Sequence, residues 1–210
     1  MPTQQSSTSA AQNPTAADRR RRQILDEAAR LFDERGYHTT SMEDIAEAVG
    51  IRKPTLYHYF RSKVEILDTV YQETIGELLA RQEQRATISM TPEQRMLETM
   101  ADVLETIDTR HGHVRVFFEH HRELPEDRHE EIMARRERYH QQLVAIIQAG
   151  IDDGTFRPGL DPQLAALLIF GACNWAYQWY RPGGPLRARD LAYAFWDMLV
   201  HGMENADRQR

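Results

Sequence analysis

Within residues 41–63 the chain gathers hydrogen-bond donors and cations into a narrow window: Arg52, Lys53, Thr55, Tyr57, His58, Tyr59 and Lys63. Guanidinium, ammonium, hydroxyl and imidazole groups are the ones that contact phosphate oxygens and base edges. Residues 48–64 hold four basic side chains and no acidic one, in a chain whose net charge is -6. The positive charge is therefore local. It points to recognition of a polyanion by one short stretch, with a solvated basic face as the alternative. Catalytic patterns do not occur in the sequence: there is no G-x-S-x-G elbow, no phosphate-binding glycine loop and no base paired with the single Cys173. The chain is expected not to be an enzyme. His111, His113, His120, His121, His129 and His140 invite a metal reading, but neighbours such as His120 and His121 point to different helix faces and no H-E-x-x-H occurs. No metal ligand and no cofactor is assigned.

The window needs two helices to position it. Ser41 has the type and place of a helix cap, with Asp44 three residues on as its reciprocal partner. Ile45, Ala46 and Val49 form a buried face, Gly50 supplies the left-handed residue a helix end requires, and Ile51 wedges the next helix apart. The second helix starts about Arg52, where Pro54 is tolerated because a first turn has no internal use for its N–H. Leu56 and Phe60 face inward. Arg52, Lys53, Thr55, Tyr57, His58 and Tyr59 are left on the faces a DNA groove would meet. The arrangement is that of a DNA-binding helix-turn-helix.

The remaining chain also reads as helices. Its 210 residues and 41% hydrophobic content suit one or two domains with an ordinary core. Residues 1–17, rich in Ser, Thr, Gln and Ala, are expected to be a disordered tail. Arg19, Arg20, Arg21 and Arg22 lead a first helix that Gly36 ends; they would touch phosphates or a minor groove, or form a solvated helix start. Ser62 and Glu65 suggest a capping box for a long helix to about Arg85, and Thr91-Pro92-Glu93-Gln94 opens another. Further helices are expected over residues 114–124, 126–151, 162–180 and 187–204. The last two are unusually apolar, which suggests burial against a second copy, with Phe195 and Leu199 at the interface. Nothing reads as a strand. The lone Cys173 suits a reducing cytoplasm, and the longest apolar run, residues 164–177, is too short to span a bilayer.

Residues 41–63 resemble the signature of TetR-type one-component transcriptional regulators, T-x-x-D-I-A-x-x-x-G-[VI]-x-x-x-T-L-Y-x-[HY]-F-x-[SN]-K, with Ser41 in place of the leading Thr. The resemblance implies that Thr55, Tyr57, Tyr59 and Lys63 contact phosphates or bases and that Lys53 and His58 lie near base edges; Arg52 departs from the usual small cap. Residues 154–158, Asp161, Trp175 and residues 179–186 resemble the C-terminal domain of the KstR-like branch, whose members repress steroid or fatty-acid catabolism and release DNA on binding an acyl-CoA.

The resulting expectation is an all-α homodimer. Residues 18–65 would form a three-helix domain bound to double-stranded operator DNA, and residues 66–205 a larger domain for dimerisation and effector binding. Phe117, Phe118, Phe170, Trp175, Trp179 and Arg181 are the expected ligand-binding residues, with Met100, Leu104 and Met133 as cavity lining or plain core. Arg181, Arg187 or the cluster Arg135, Arg136 and Arg138 would meet the CoA phosphates. A non-CoA apolar ligand or a metal ion is the alternative effector, and a dimer without any effector is a further one.

Overall fold

A computed structural model of the chain describes residues 15–201. Among these residues nine α-helices and one 3-10 turn follow one another, and there is no strand. The helices are α1 (Ala16–Arg35), α2 (Met42–Val49), α3 (Lys53–Tyr59), α4 (Lys63–Ala86), α5 (Pro92–Thr109), α6 (His111–Glu119), α7 (Glu126–Asp152), α8 (Pro162–Trp179) and α9 (Ala188–His201), with the 3-10 turn at His121–Glu123.

Local chemistry sets most helix starts. The Ser41 hydroxyl accepts the Asp44 N–H at 3.1 Å while the Asp44 carboxylate accepts the Ser41 N–H at 2.7 Å. Thr91 and Gln94 make the same exchange at α5. Each exchange satisfies N–H groups that a helix end leaves without an internal partner. Asp161 accepts from the Gln163 and Leu164 N–H groups, just ahead of Pro162 in the first turn of α8. Two starts differ from expectation. Thr15 and Asp18 form a further box, so α1 begins at Ala16, inside the segment expected to be a disordered tail; residues 1–14 of that segment lie outside the described residues. At α4 the Ser62 hydroxyl caps as expected, but Glu65 reaches past it to the Arg61 N–H at 2.6 Å. The expected continuation of α9 to Glu204 also lies outside the described residues.

One hydrophobic core runs from Ile24, Phe32, Leu56 and Phe60 through Tyr71 to Met100, Leu104, Leu143 and Ile147. Helix α5 lies at its centre, against α4, α6, α7, α8 and α9. Asp102 on α5 is buried and paired with two cations of α4, Arg85 and, at 3.3 Å, Arg81. Two guanidinium groups on one carboxylate offset part of the cost of taking its charge out of water, although burial still pushes Asp102 above the ordinary carboxylate range, and they tie α4 to α5. Helix α6 packs on both α1 and α4. The two helices α1 and α6 approach closely at Gly112, where a Cβ would sit 3.5 Å from the α1 backbone at Ala29 and Arg30, an ordinary contact distance. Cys173 on α8 is fully buried, and burial pushes its thiol up to about 12. It acts as a packing residue. Among the described residues no helix is long and apolar enough to cross a membrane.

Candidate DNA interface and effector cavity

Helices α2 and α3 meet at a Schellman turn. Gly50 adopts φ 70°, its N–H donates to the Glu47 carbonyl at 3.0 Å, and the Ile51 N–H donates to the Ala46 carbonyl at 2.9 Å. The left-handed backbone costs a Cβ-bearing residue energy that glycine does not lose. Ile45, Ala46 and Val49 are buried beneath the turn, and Leu56 and Phe60 anchor α3 from below. Arg21 of α1 stacks on the Phe60 ring at 4.5 Å. This holds α3 by one face. Arg52, Lys53, Thr55, Tyr57 and His58 are exposed on the other, with Tyr57 45% exposed despite its aromatic ring. Lys53 lies 3.1 Å from Glu43, an exposed pair that DNA phosphates can replace at little cost. Tyr59 is half-buried against the core, so only part of its ring remains available.

Lys63, for which the resemblance implies a DNA contact, is held against the α1–α2 loop. Its ammonium donates to the carbonyls of Tyr37 at 2.6 Å, Thr40 at 2.8 Å and His38 at 3.4 Å, and lies 4.3 Å from the centre of the Tyr37 ring. Two of these carbonyls lie at short hydrogen-bond distance and the third is a weak contact. Lys63 thus fastens the α1–α2 loop to the start of α4. The leading arginines are also partly committed: Arg20 donates to Gln23 and to the Val49 carbonyl, and Arg21 covers Phe60.

A cavity of about 480 Å³ lies among α4, α5, α6, α7 and α8. Phe117, Phe118 and Phe170 line it, as expected, together with Met133. Met100 and Leu104 are fully buried core instead. Leu78, Val103, Val114, Tyr139, His140, Leu167 and Asn174, not anticipated from sequence, complete much of the wall. Trp175, Trp179 and Arg181 do not line the cavity. The two tryptophans share a face of α8 as their spacing requires, but that face points away from the core, which α8 meets through Ala166, Ile169, Cys173 and Ala176. Leu164, Leu167 and Leu168 of α8 and Tyr193, Met198 and Val200 of α9 are exposed as well, so the two helices carry a broad apolar outer surface. Phe195 and Leu199 are partly buried against the chain's own core.

Of the three clustered arginines only Arg136 faces the cavity. Arg135 pairs with Glu131 at 3.2 Å and Arg138 with Glu83 at 2.7 Å. The Arg136 guanidinium lies over the rings of Phe117 at 5.4 Å and Phe118 at 5.9 Å. Burial pushes it down from its ordinary value. Two further hollows, of about 340 and 540 Å³, occur elsewhere, the larger of them beneath the outer parts of α8 and α9. The histidines are scattered: His113 bonds Asp26, His38 lies 2.9 Å from Glu123, and no three His, Cys, Asp or Glu side chains converge among the described residues.

Helix α6 joins the cavity to the DNA-facing end. Val114, Phe117 and Phe118 line the cavity, while His113 Nε2 donates to Asp26 of α1 at 3.0 Å and Arg115 pairs with Asp33 of α1 at 2.8 Å. On its α4 side, the Tyr71 hydroxyl donates to the Val116 carbonyl at 2.9 Å.

The sequence agrees with this architecture when set beside known proteins. Residues 24–70 match the family described as bacterial regulatory proteins, tetR family, and residues 89–203 match the tetracyclin repressor-like C-terminal domain. The HTH-type transcriptional repressor KstR2 of Mycobacterium tuberculosis is 31% identical over 185 residues, spanning 88% of this chain and 92% of its own. PfmR, a TetR family regulator from Thermus thermophilus, superposes with a TM-score of 0.80 at 32% identity, covering 87% of this chain and 99% of that one. AibR, solved in complex with isovaleryl coenzyme A and operator DNA, superposes with a TM-score of 0.73 at 28% identity over 85% of this chain and 97% of its own. The exposed face of α3, the all-helical scaffold and these matches together show that the chain belongs to the TetR family and is a DNA-binding transcriptional regulator, not an enzyme.

Proposed function

We propose that the protein is a homodimeric repressor whose effector is an acyl-CoA from lipid or steroid catabolism. Residues 18–65 bind operator DNA and residues 66–205 dimerise and bind the effector. The outer face of α8 and α9 is the dimer surface: large apolar side chains such as Leu168, Trp175 and Val200 stand exposed together there, more than an isolated soluble chain usually presents. The acyl group enters the aromatic cavity and the CoA end remains outside it, because about 480 Å³ suits a small-ligand site and not a whole CoA thioester. Support for the thioester comes from AibR with its isovaleryl coenzyme A, and support for a steroid context from the ketosteroid regulator KstR2.

The observation that carries the regulatory reading is the double use of α6. A ligand pressing on Phe117 and Phe118 displaces the same short helix that His113 and Arg115 bolt to α1. Moving α1 moves α3, and two α3 helices must match successive major grooves to bind together. Effector and DNA therefore favour different dimer geometries, and each weakens the other by the same factor. The test is to select a binding sequence from random DNA, then follow its release by fluorescence anisotropy with acyl-CoAs, free acids and metal ions. Release by thioesters at concentrations where free acids and metals have no effect supports the proposal. Release by a free apolar compound or a metal alone overturns the acyl-CoA assignment, and failure of any compound to release DNA overturns effector control.

A further inference from the structure

Arg136 is the one guanidinium or ammonium group lining the effector cavity among the described residues, and an apolar acyl chain does not use its charge. Its neighbours on α7, Arg135 and Arg138, point outward to carboxylates, while Arg136 turns in. Glu137 also lines the cavity, but no carboxylate lies within ion-pair distance of Arg136 among the described residues, and its contacts are the faces of Phe117 and Phe118. The unpartnered Nε2 of His140 and the Asn174 amide share the cavity wall. Arg136 is partly buried, and a guanidinium that loses water without gaining a carboxylate incurs a cost that ring faces recover only in part. An oxygen anion fits its planar fork in two parallel hydrogen bonds.

We propose that Arg136 is the receptor for a carboxylate carried on the buried, apolar part of the effector. The inference rests on the reading that this cavity holds the effector. For a thioester the carboxylate is a second acid group, at the end of the acyl chain remote from sulfur; for a free acid it is the acid itself. The anion then lies between α7 and the aromatic face of α6, so its arrival draws on the helix that is bonded to α1.

The probes are octanoyl-CoA, suberoyl-CoA, which has the same chain length and a terminal carboxylate, and octanoate, each titrated by calorimetry into the full-length protein and into Arg136→Met. Suberoyl-CoA is expected to bind the wild type about tenfold or more tightly than octanoyl-CoA, because charge-assisted hydrogen bonds are the strong ones. In Arg136→Met the two thioesters should bind equally. Equal binding to the wild type, or a preference that survives in Arg136→Met, overturns the proposal. Octanoate that binds the wild type and not the variant, with no thioester binding at all, upholds Arg136 as the carboxylate receptor and overturns the thioester reading. No binding by any of the three at millimolar concentration overturns both. Arg136→Met is expected to melt no lower than the wild type without ligand, and Arg136→Gln repeats the comparison with a polar residue of similar reach.

Discussion

Replacing Lys63 with methionine separates a structural lysine from a DNA-contacting one. Methionine keeps most of the stem and removes the ammonium, leaving the Tyr37 and Thr40 carbonyls without the donors they now have at 2.6 and 2.8 Å; the His38 contact at 3.4 Å is weak and adds little. Hydrogen bonds to a charged donor are worth about 1.5–3 kcal/mol when buried, and the half-buried site puts each near the lower end or below. Two such bonds give a loss of about 2 kcal/mol. For a chain of this length that lowers Tm by about 4–8 °C, read by circular dichroism at fixed protein concentration. Operator affinity should fall modestly because the α1–α2 loop loosens, while the slope of log affinity against log salt stays unchanged. A lysine on a phosphate predicts the opposite pattern, a slope smaller by about 0.9 with stability intact. Unchanged Tm together with that smaller slope would refute the structural role.

Tyr57→Ala should weaken operator binding about tenfold or more without lowering Tm, since the ring is exposed on the outer face of α3; equal affinity would remove Tyr57 from the interface. Leu168→Asp should shift the protein from dimer to monomer in sedimentation at micromolar concentration, and a dimer that survives it places the interface elsewhere. Asp26 titrates below the ordinary carboxylate range, first because His113 hydrogen-bonds it. Its folded value lies below its unfolded one, so the stability it adds is present above pH of about 4 and lost as pH falls through the depressed value. Asp26→Asn should therefore flatten the acid limb of stability in urea titrations, and an unaltered acid limb would show that the contact adds nothing.

Features that depend on neighbouring residues were legible in the sequence. The caps at Ser41, Thr91 and Asp161, the turn at Gly50 and the inward Leu56 and Phe60 all follow from spacing within a few residues. Thr15 and Asp18 carried the same signal and could have been read the same way. The carbonyl contacts of Lys63 are not legible in the sequence, because their partners lie more than twenty residues back, in a loop whose position only the packed fold defines. The four-residue spacing of Trp175 and Trp179 fixes a shared face, but α8 is apolar nearly all round, so periodicity does not say which face turns inward. The arginine cluster on α7 was visible, whereas the choice of Arg136 as the inward member depends on how Ile132, Tyr139 and Leu143 rotate that helix into the core.

The buried Cys173 has a practical consequence for measuring these motions. Its thiol is sealed within α8 and held near 12, so at neutral pH almost none of it is thiolate, the form that attacks maleimides and methanethiosulfonates. The natural chain therefore behaves toward such reagents as a cysteine-free background. A single cysteine introduced at an exposed position such as His58 would carry a spin label on each subunit of a dimer. Pulsed electron resonance would then report the distance between the two α3 helices directly, with and without effector, without first having to replace a residue that packs the core.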